Sequence, residues 1–258
     1  MTAEETHFKI RLAKSEQDLL AAQRLRYDVF VSELGGDGDL VDHDGRFERD
    51  QYDAHYDHMI LVDERRDAAA LDHVVGVYRL LPGTRAAEAG GFYCASEYDL
   101  YALEQSGQNL LELGRSCVHA DYRGGTALVH LWKGLGDYVQ DHRIEVLFGV
   151  ASFHGTDVQA LAEPLSFLHH NHLAPEPLRV RALPEHFTSM DLLEVDAINR
   201  PAAVRAIPSL IKGYLRLGGY VGDGAFVDRA FNTTDVCLVL DTARVSEKQL
   251  WFYSGRRK

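Results

Sequence analysis

The sequence predicts a three-layer α/β domain built on a mixed sheet. Three observations carry this. Short apolar strands arrive early as a meander, strands then alternate with helical patterns, and apolar residues make up 46% of 258, enough for a core that needs no staples.

His7 to Leu12 reads as a first strand. Ser15 is a good N-cap, with Asp18 three residues on as a capping-box variant, and Leu19, Ala22, Leu25 and Val29 form a helical apolar stripe. Gly35-Gly36 stops that helix and opens an acidic stretch to about Asp57. Met59 to Val62 and Val74 to Leu81 read as strands, with a turn over Arg65 to Asp72 between them. Gly90 to Gly107 is irregular, and Leu110 to Val118 is a central strand. A turn at Asp121 to Gly125 leads to a helix over Thr126 to His142, a strand over Val146 to Val150 and a helix near Thr156 to Leu168. Five prolines between Pro175 and Pro208 mark an insertion, near 175–208, in a single domain spanning 1–258. Pro208 and Gly218 bracket a late helix, and Ala225 to Val227 with Val236 to Leu240 close the sheet.

Composition narrows the function. A formal net charge of −12 argues against nucleic acid as a partner. The start of the chain is polar, with no apolar segment of a leader, and no apolar run approaches membrane-spanning length. The cysteines, Cys94, Cys117 and Cys237, are scattered without ligand spacing, which points to free thiols in a reducing compartment. Basic residues gather at Lys212 and Arg216 and at the terminal Arg256-Arg257-Lys258, either a local patch for an acidic partner or a solvated face and a polar tail.

Three sets of residues carry chemistry. Glu112 and Arg115 on the central strand run into Arg123-Gly124-Gly125-Thr126, a turn and helix start able to cradle a phosphate. Arg79 shares a strand face with Val75, Val77 and Leu81 and needs a partner there, or snorkels to solvent. Glu48, Asp50, Asp53 and Asp57 form an acidic set suited to a cationic ligand or to a solvated loop. His169, His170 and His172 have no zinc spacing and no acidic partner in sequence, so no metal is expected. Cys117 has no histidine placed to activate it and reads as a buried thiol.

In order and spacing, Arg26-Tyr27-Asp28-Val29-Phe30, Glu48-x-Asp50-x-x-Asp53, Val75-Gly76-x-x-Arg79-Leu80-Leu81-Pro82 and Glu112-x-x-Arg115 resemble the acyl-homoserine-lactone synthases. Gly90 to Ala95, Leu111 to Val118, Gly149 to Gly155 and Leu210 to Gly218 look more like a sister family, the ornithine acyl-carrier-protein N-acyltransferases. The resemblance covers Phe8 to about Leu240. Gly35 and Gly36 stand where the lactone synthases carry an aromatic residue, which counts against lactone synthesis. The glycine turn of acetyl-CoA-using enzymes is only partly matched at Arg123 to Ala127, which fits a donor on a carrier protein and leaves acyl-CoA as the alternative.

The resemblance implies a GNAT-like α/β/α fold with a mixed, mostly antiparallel sheet. It implies transfer of a (3-hydroxy)acyl group from the phosphopantetheine of acyl carrier protein to the α-amino group of ornithine, with no other cofactor. Glu112, Arg115 and Arg79 are the implied catalytic set. Arg26, Phe30, Glu48, Asp50, Asp53 and Ser152 are the implied substrate contacts, and Arg123, Gly124, Gly125 and Thr126 the implied phosphopantetheine contacts. The implied location is the cytoplasm, with peripheral membrane contact for product release. Acylation of glutamine or lysine, lactone synthesis and a catalytically dead binding module are the rivals. Glu112, Arg79 and Arg115 together speak against the last.

Overall fold

The computed structural model describes residues 7–245. In chain order it contains β1 (Phe8–Leu12), α1 (Glu16–Arg26), β2 (Asp57–Asp63), β3 (Val74–Pro82), α2 (Gly83–Ala86), β4 (Tyr98–Asp99), α3 (Tyr101–Glu104), β5 (Leu110–Val118), α4 (Ala127–Asp141), β6 (Val146–His154), α5 (Ala162–His172), β7 (Arg181–Ala182), α6 (Arg200–Ala206), α7 (Ser209–Arg216), β8 (Tyr220–Val221), β9 (Phe226–Asp228) and β10 (Thr233–Asp241). Among the described residues, 7–81 with 113–143 form one compact unit and 82–112 with 144–245 a second. The basic tail at Arg256 to Lys258 lies outside the described residues.

In the first unit the strand order is β1-β2-β3-β5. Ser15 caps α1 as expected, its hydroxyl accepting from the Asp18 N–H at 3.1 Å. The Asp18 carboxylate accepts from the Lys14 N–H and from both terminal nitrogens of Arg11. Side chains alternate along β2, and each set meets a different helix. Ile60 and Val62 pack with Ala21, Ala22 and Leu25 of α1. The other face is packed so closely on α4 that a Cβ at Gly134 would lie 2.5 Å from Ile10 and 3.0 Å from Met59. Sheet between α1 and α4 is the three-layer arrangement. The helical segment stops before Gly35, at φ +74°, as expected, but after Arg26 it widens into a π-helical turn, Tyr27–Glu33.

In the second unit β6 pairs in parallel with Leu110 to Glu112 of β5 and antiparallel with β10 along its whole length. β8 and β9 add to the other side of β10. β10 is therefore an interior strand, a position that the sequence, which named it only among the strands closing the sheet, did not specify. A strand buried on both faces reads as a plain apolar run, which says nothing of its neighbours. β6 continues to His154, past the expected Val150, because Ala151 and Phe153 are buried while Ser152 and His154 are exposed. α5 starts later than the sequence suggests, since the Asp157 carboxylate accepts from the Gln159 and Ala160 N–H groups and holds a turn there. The proline-rich stretch carries β7, paired with β4, two 3₁₀ turns and α6.

Candidate active site

Six of the residues singled out above meet in the first unit as a closed ring of alternating charge. The Arg26 guanidinium donates from Nε to Glu48 and from Nη1 to Asp53 at 2.7 Å. Arg79 Nη1 donates to Asp53 at 2.8 Å and to Asp50 at 2.6 Å. Arg115 closes the circle, donating to Glu48 at 3.2 Å and to Asp50 at 3.3 Å. Each carboxylate thus bridges two arginines, and three cations balance three anions.

The ring has a deep side and an open side. The side chains of Arg26, Arg79 and Glu48 are at most 1% exposed. Those of Arg115 and Asp50 are 13% and 18% exposed, and they hold the longest bond in the ring. Arg26 Nη2 and Arg79 Nε are buried and donate to no described residue, so donors remain for water or a ligand.

Local structure explains the convergence. Arg26 ends α1, and the Glu48 N–H donates to the Gln23 carbonyl, tying the acidic loop to that helix. Arg79 sits mid-strand in β3, its guanidinium 4.3 Å from the centroid of the Tyr56 ring. Arg115 lies in β5 with φ +49°, a left-handed conformation costing a non-glycine residue about 1–3 kcal/mol. A regular strand would send residues 112 and 115 to opposite faces, and this kink breaks the alternation. Gly114 leaves room beside it, since a Cβ there would lie 3.9 Å from Arg79 Nε.

Burial disfavours the charges of Glu48, Asp53 and Arg26, and neighbours reverse that penalty. Burial raises Glu48, but Arg26 and Arg115 more than offset it and hold the carboxyl below its usual range. Burial likewise raises Asp53, but Arg26 and Arg79 hold it well below the usual range. Burial lowers Arg26, while Glu48 and Asp53 keep its guanidinium firmly charged. Burial also pushes His58 down, so its neutral ring donates from Nε2 to the Asp53 carbonyl at 2.9 Å.

Glu112 lies in the second unit's part of β5 and is 1% exposed. Its two carboxylate oxygens accept from the Tyr93 N–H at 2.9 Å and the Cys94 N–H at 2.6 Å. Those donors open a 3₁₀ turn, Tyr93–Ser96, in the segment the sequence left irregular. Ser152 is exposed on β6, opposite Asp235 of β10. Phe30 lies in the π-helical turn and packs against the α1–β2 core.

Gly124, Gly125 and Thr126 form an exposed turn into α4, and Thr126 at its N-cap makes no side-chain capping bond. Arg123 is half-exposed, ion-paired to Glu33 at 2.7 Å and bonded to the Val118 carbonyl at 3.0 Å. Burial pushes the Cys117 thiol up to about 12, which matches an inert thiol. Sequence reasoning missed Gln23, which donates to Asp53 at 2.9 Å, along with His58 and Tyr56. A buried glutamine on a helix face gives no such signal in advance.

Comparisons with known proteins bear on the family and the fold. A family model described as an acetyltransferase (GNAT) domain matches residues 25–133. The chain is 59% identical over 256 residues to the L-ornithine N(alpha)-acyltransferase of Rhodobacter capsulatus, covering 99% of this chain and 98% of that one. The enzyme of the same name from Brucella abortus is 43% identical, over 96% and 89% of the two chains. Among solved structures, the CoA-dependent acyl-homoserine lactone synthase BjaI matches with a TM-score of 0.53 and 16% identity, over 97% of this chain and 91% of that one. That likeness speaks to the fold: α/β, with a mixed and mostly antiparallel sheet.

Proposed function

The chain belongs to the L-ornithine N(alpha)-acyltransferase family and is an acyltransferase, and on that footing we propose that it moves a 3-hydroxyacyl group from acyl carrier protein to the α-amino group of ornithine. The observation that supports the amino-acid half is the open edge of the charged ring. Arg115 and Asp50 there offer a guanidinium for a carboxylate and a carboxylate for an ammonium, and their mutual bond is the weakest one to exchange. An amino acid entering this edge replaces one ion pair with two.

The reaction needs a free amine beside a polarised thioester. A base, the role that the family resemblance implies for Glu112, accepts the first ammonium proton. The neutral nitrogen attacks the thioester carbonyl, and the oxyanion is held by a backbone N–H of β5. Collapse forms the C–N amide and breaks the C–S bond; the departing pantetheine thiolate takes the second amine proton. Arg79 and Arg26 keep the acidic residues fixed, and Arg115 orients the substrate carboxylate. The exposed turn at Gly124, Gly125 and Thr126 receives the phosphopantetheine phosphate, with Arg123 beside it. The product is an amphiphile, and its release involves peripheral contact with a bilayer. Among the described residues no helix is long and apolar enough to cross a membrane.

The test is a product assay by mass, with purified protein, 3-hydroxyacyl-carrier protein or acyl-CoA as donor, and ornithine, lysine, glutamine or S-adenosylmethionine as acceptor. The expected product is N-acylornithine from the carrier-bound donor. Preference for another acceptor, or equal use of acyl-CoA, overturns the corresponding half of the proposal.

A further inference from the structure

At the C-terminal end of α5, one ring nitrogen each of His169 and His170 and one carboxylate oxygen of Asp191 lie within 4.8 Å of one another. The sequence shows two adjacent histidines with no acidic ligand nearby; the fold supplies one. His170 Nε2 is 3.1 Å from Asp191 Oδ1 and 3.0 Å from the Leu193 carbonyl oxygen. His169 Nδ1 is buried and bonds to no described residue. The segment bringing Asp191 and Leu193 is pinned to the same helix. Ser166 of α5 is wholly buried, and its hydroxyl accepts from the Leu192 and Leu193 N–H groups, both at 3.0 Å. The Ser189 hydroxyl accepts from the Asp191 N–H at 3.1 Å.

We infer that His169, His170, Asp191 and the Leu193 carbonyl bind one divalent transition-metal ion of the zinc class. A four-coordinate ion with ligand bonds of about 2.0–2.2 Å sets neighbouring donor atoms roughly 3.4 Å apart. The two oxygens facing His170 Nε2 stand within a few tenths of an ångström of that spacing. A neutral imidazole has one hydrogen at Nε2 and two acceptors before it, so a cation there serves both. Two imidazoles select zinc, nickel or copper over magnesium or calcium, which prefer all-oxygen shells. The Ser166 bonds hold the oxygen donors in place before binding, which limits the ordering cost. The bound ion clips the segment around Asp191 to α5, a structural role separate from acyl transfer.

Tag-free protein stripped with chelator is titrated with Zn²⁺ by calorimetry, with Mg²⁺ as control and Co²⁺ as spectroscopic probe. One equivalent of Zn²⁺ binds, the Co²⁺ complex shows the intense visible bands of a four-coordinate site, and Mg²⁺ gives no heat. Zn²⁺ at 100 times its Kd raises Tm by about 5 °C or more. Asp191→Asn and His169→Ala each weaken binding at least about tenfold. Asp191 is 55% exposed, so its variant folds even where His169→Ala does not. No saturable binding at one equivalent overturns the inference. So does binding that survives both substitutions, which would place the ion on other histidines.

Discussion

Asp53→Asn tests whether the charged ring is a structural unit as well as a binding surface. Asp53 Oδ1 accepts from both Arg26 and Arg79, and its Oδ2 accepts from Gln23. An asparagine oxygen at the first position loses the charge, and its amide nitrogen then faces the Gln23 donor. The reverse orientation sets an N–H₂ against two guanidinium groups. Either way a buried ring of three cations keeps only two anions. Breaking a buried ion pair by removing one partner costs about 3–5 kcal/mol, or roughly 6–20 °C in Tm for a chain of this size. Equilibrium urea unfolding at pH 7 measures it. Acid linkage supplies an independent check. The folded-state carboxyls of Asp53 and Glu48 are held below their unfolded values, so their stabilisation is present above about pH 4 and is lost as pH falls through the folded values. The variant therefore loses less stability than the parent on going from pH 5 to pH 2.5. Arg115→Met, at the open edge, leaves Glu48 and Asp50 each with another arginine and costs less than about half as much. An Asp53→Asn protein within about 0.5 kcal/mol of the parent, with unchanged acid dependence, would refute the ring as a source of stability.

Glu112→Gln lowers kcat by about 10²–10⁴-fold, and it also sets an amide N–H₂ against the Tyr93 or Cys94 N–H, costing about 1–3 kcal/mol of stability; a variant with lowered Tm and parental kcat would make Glu112 purely structural. Arg123→Glu breaks the ion pair with Glu33 and raises KM for acyl-carrier protein, while a soluble acyl-pantetheine donor is used nearly as well; equal loss on both donors would place Arg123 in the catalytic centre. Native protein at pH 8 resists iodoacetamide at Cys94, Cys117 and Cys237, all buried, and reacts at all three in denaturant; rapid native labelling counted by mass would contradict that burial.

The sequence alone determined the elements whose signals are local. Ser15 capped α1 because an N-cap is a matter of three residues, and β3, β5 and α4 appeared close to their expected bounds because apolar periodicity is written within each segment. It also singled out Arg26, Glu48, Asp50, Asp53, Arg79 and Arg115, on motif spacing carried by a family resemblance. Only the tertiary structure decided that these six close into one ring, because the partners of Arg115 lie 65 and 67 residues away. Their pairing depends on how β3, β5 and the acidic loop pack, which no local pattern encodes. The same holds for the interior position of β10, a buried strand whose apolar run does not name its neighbours, and for Asp191 beside His169 and His170. The kink at Arg115 is the sharpest case: isolated, that residue favours right-handed or extended backbone, and only the ion pairs and strand neighbours around it hold φ at +49°.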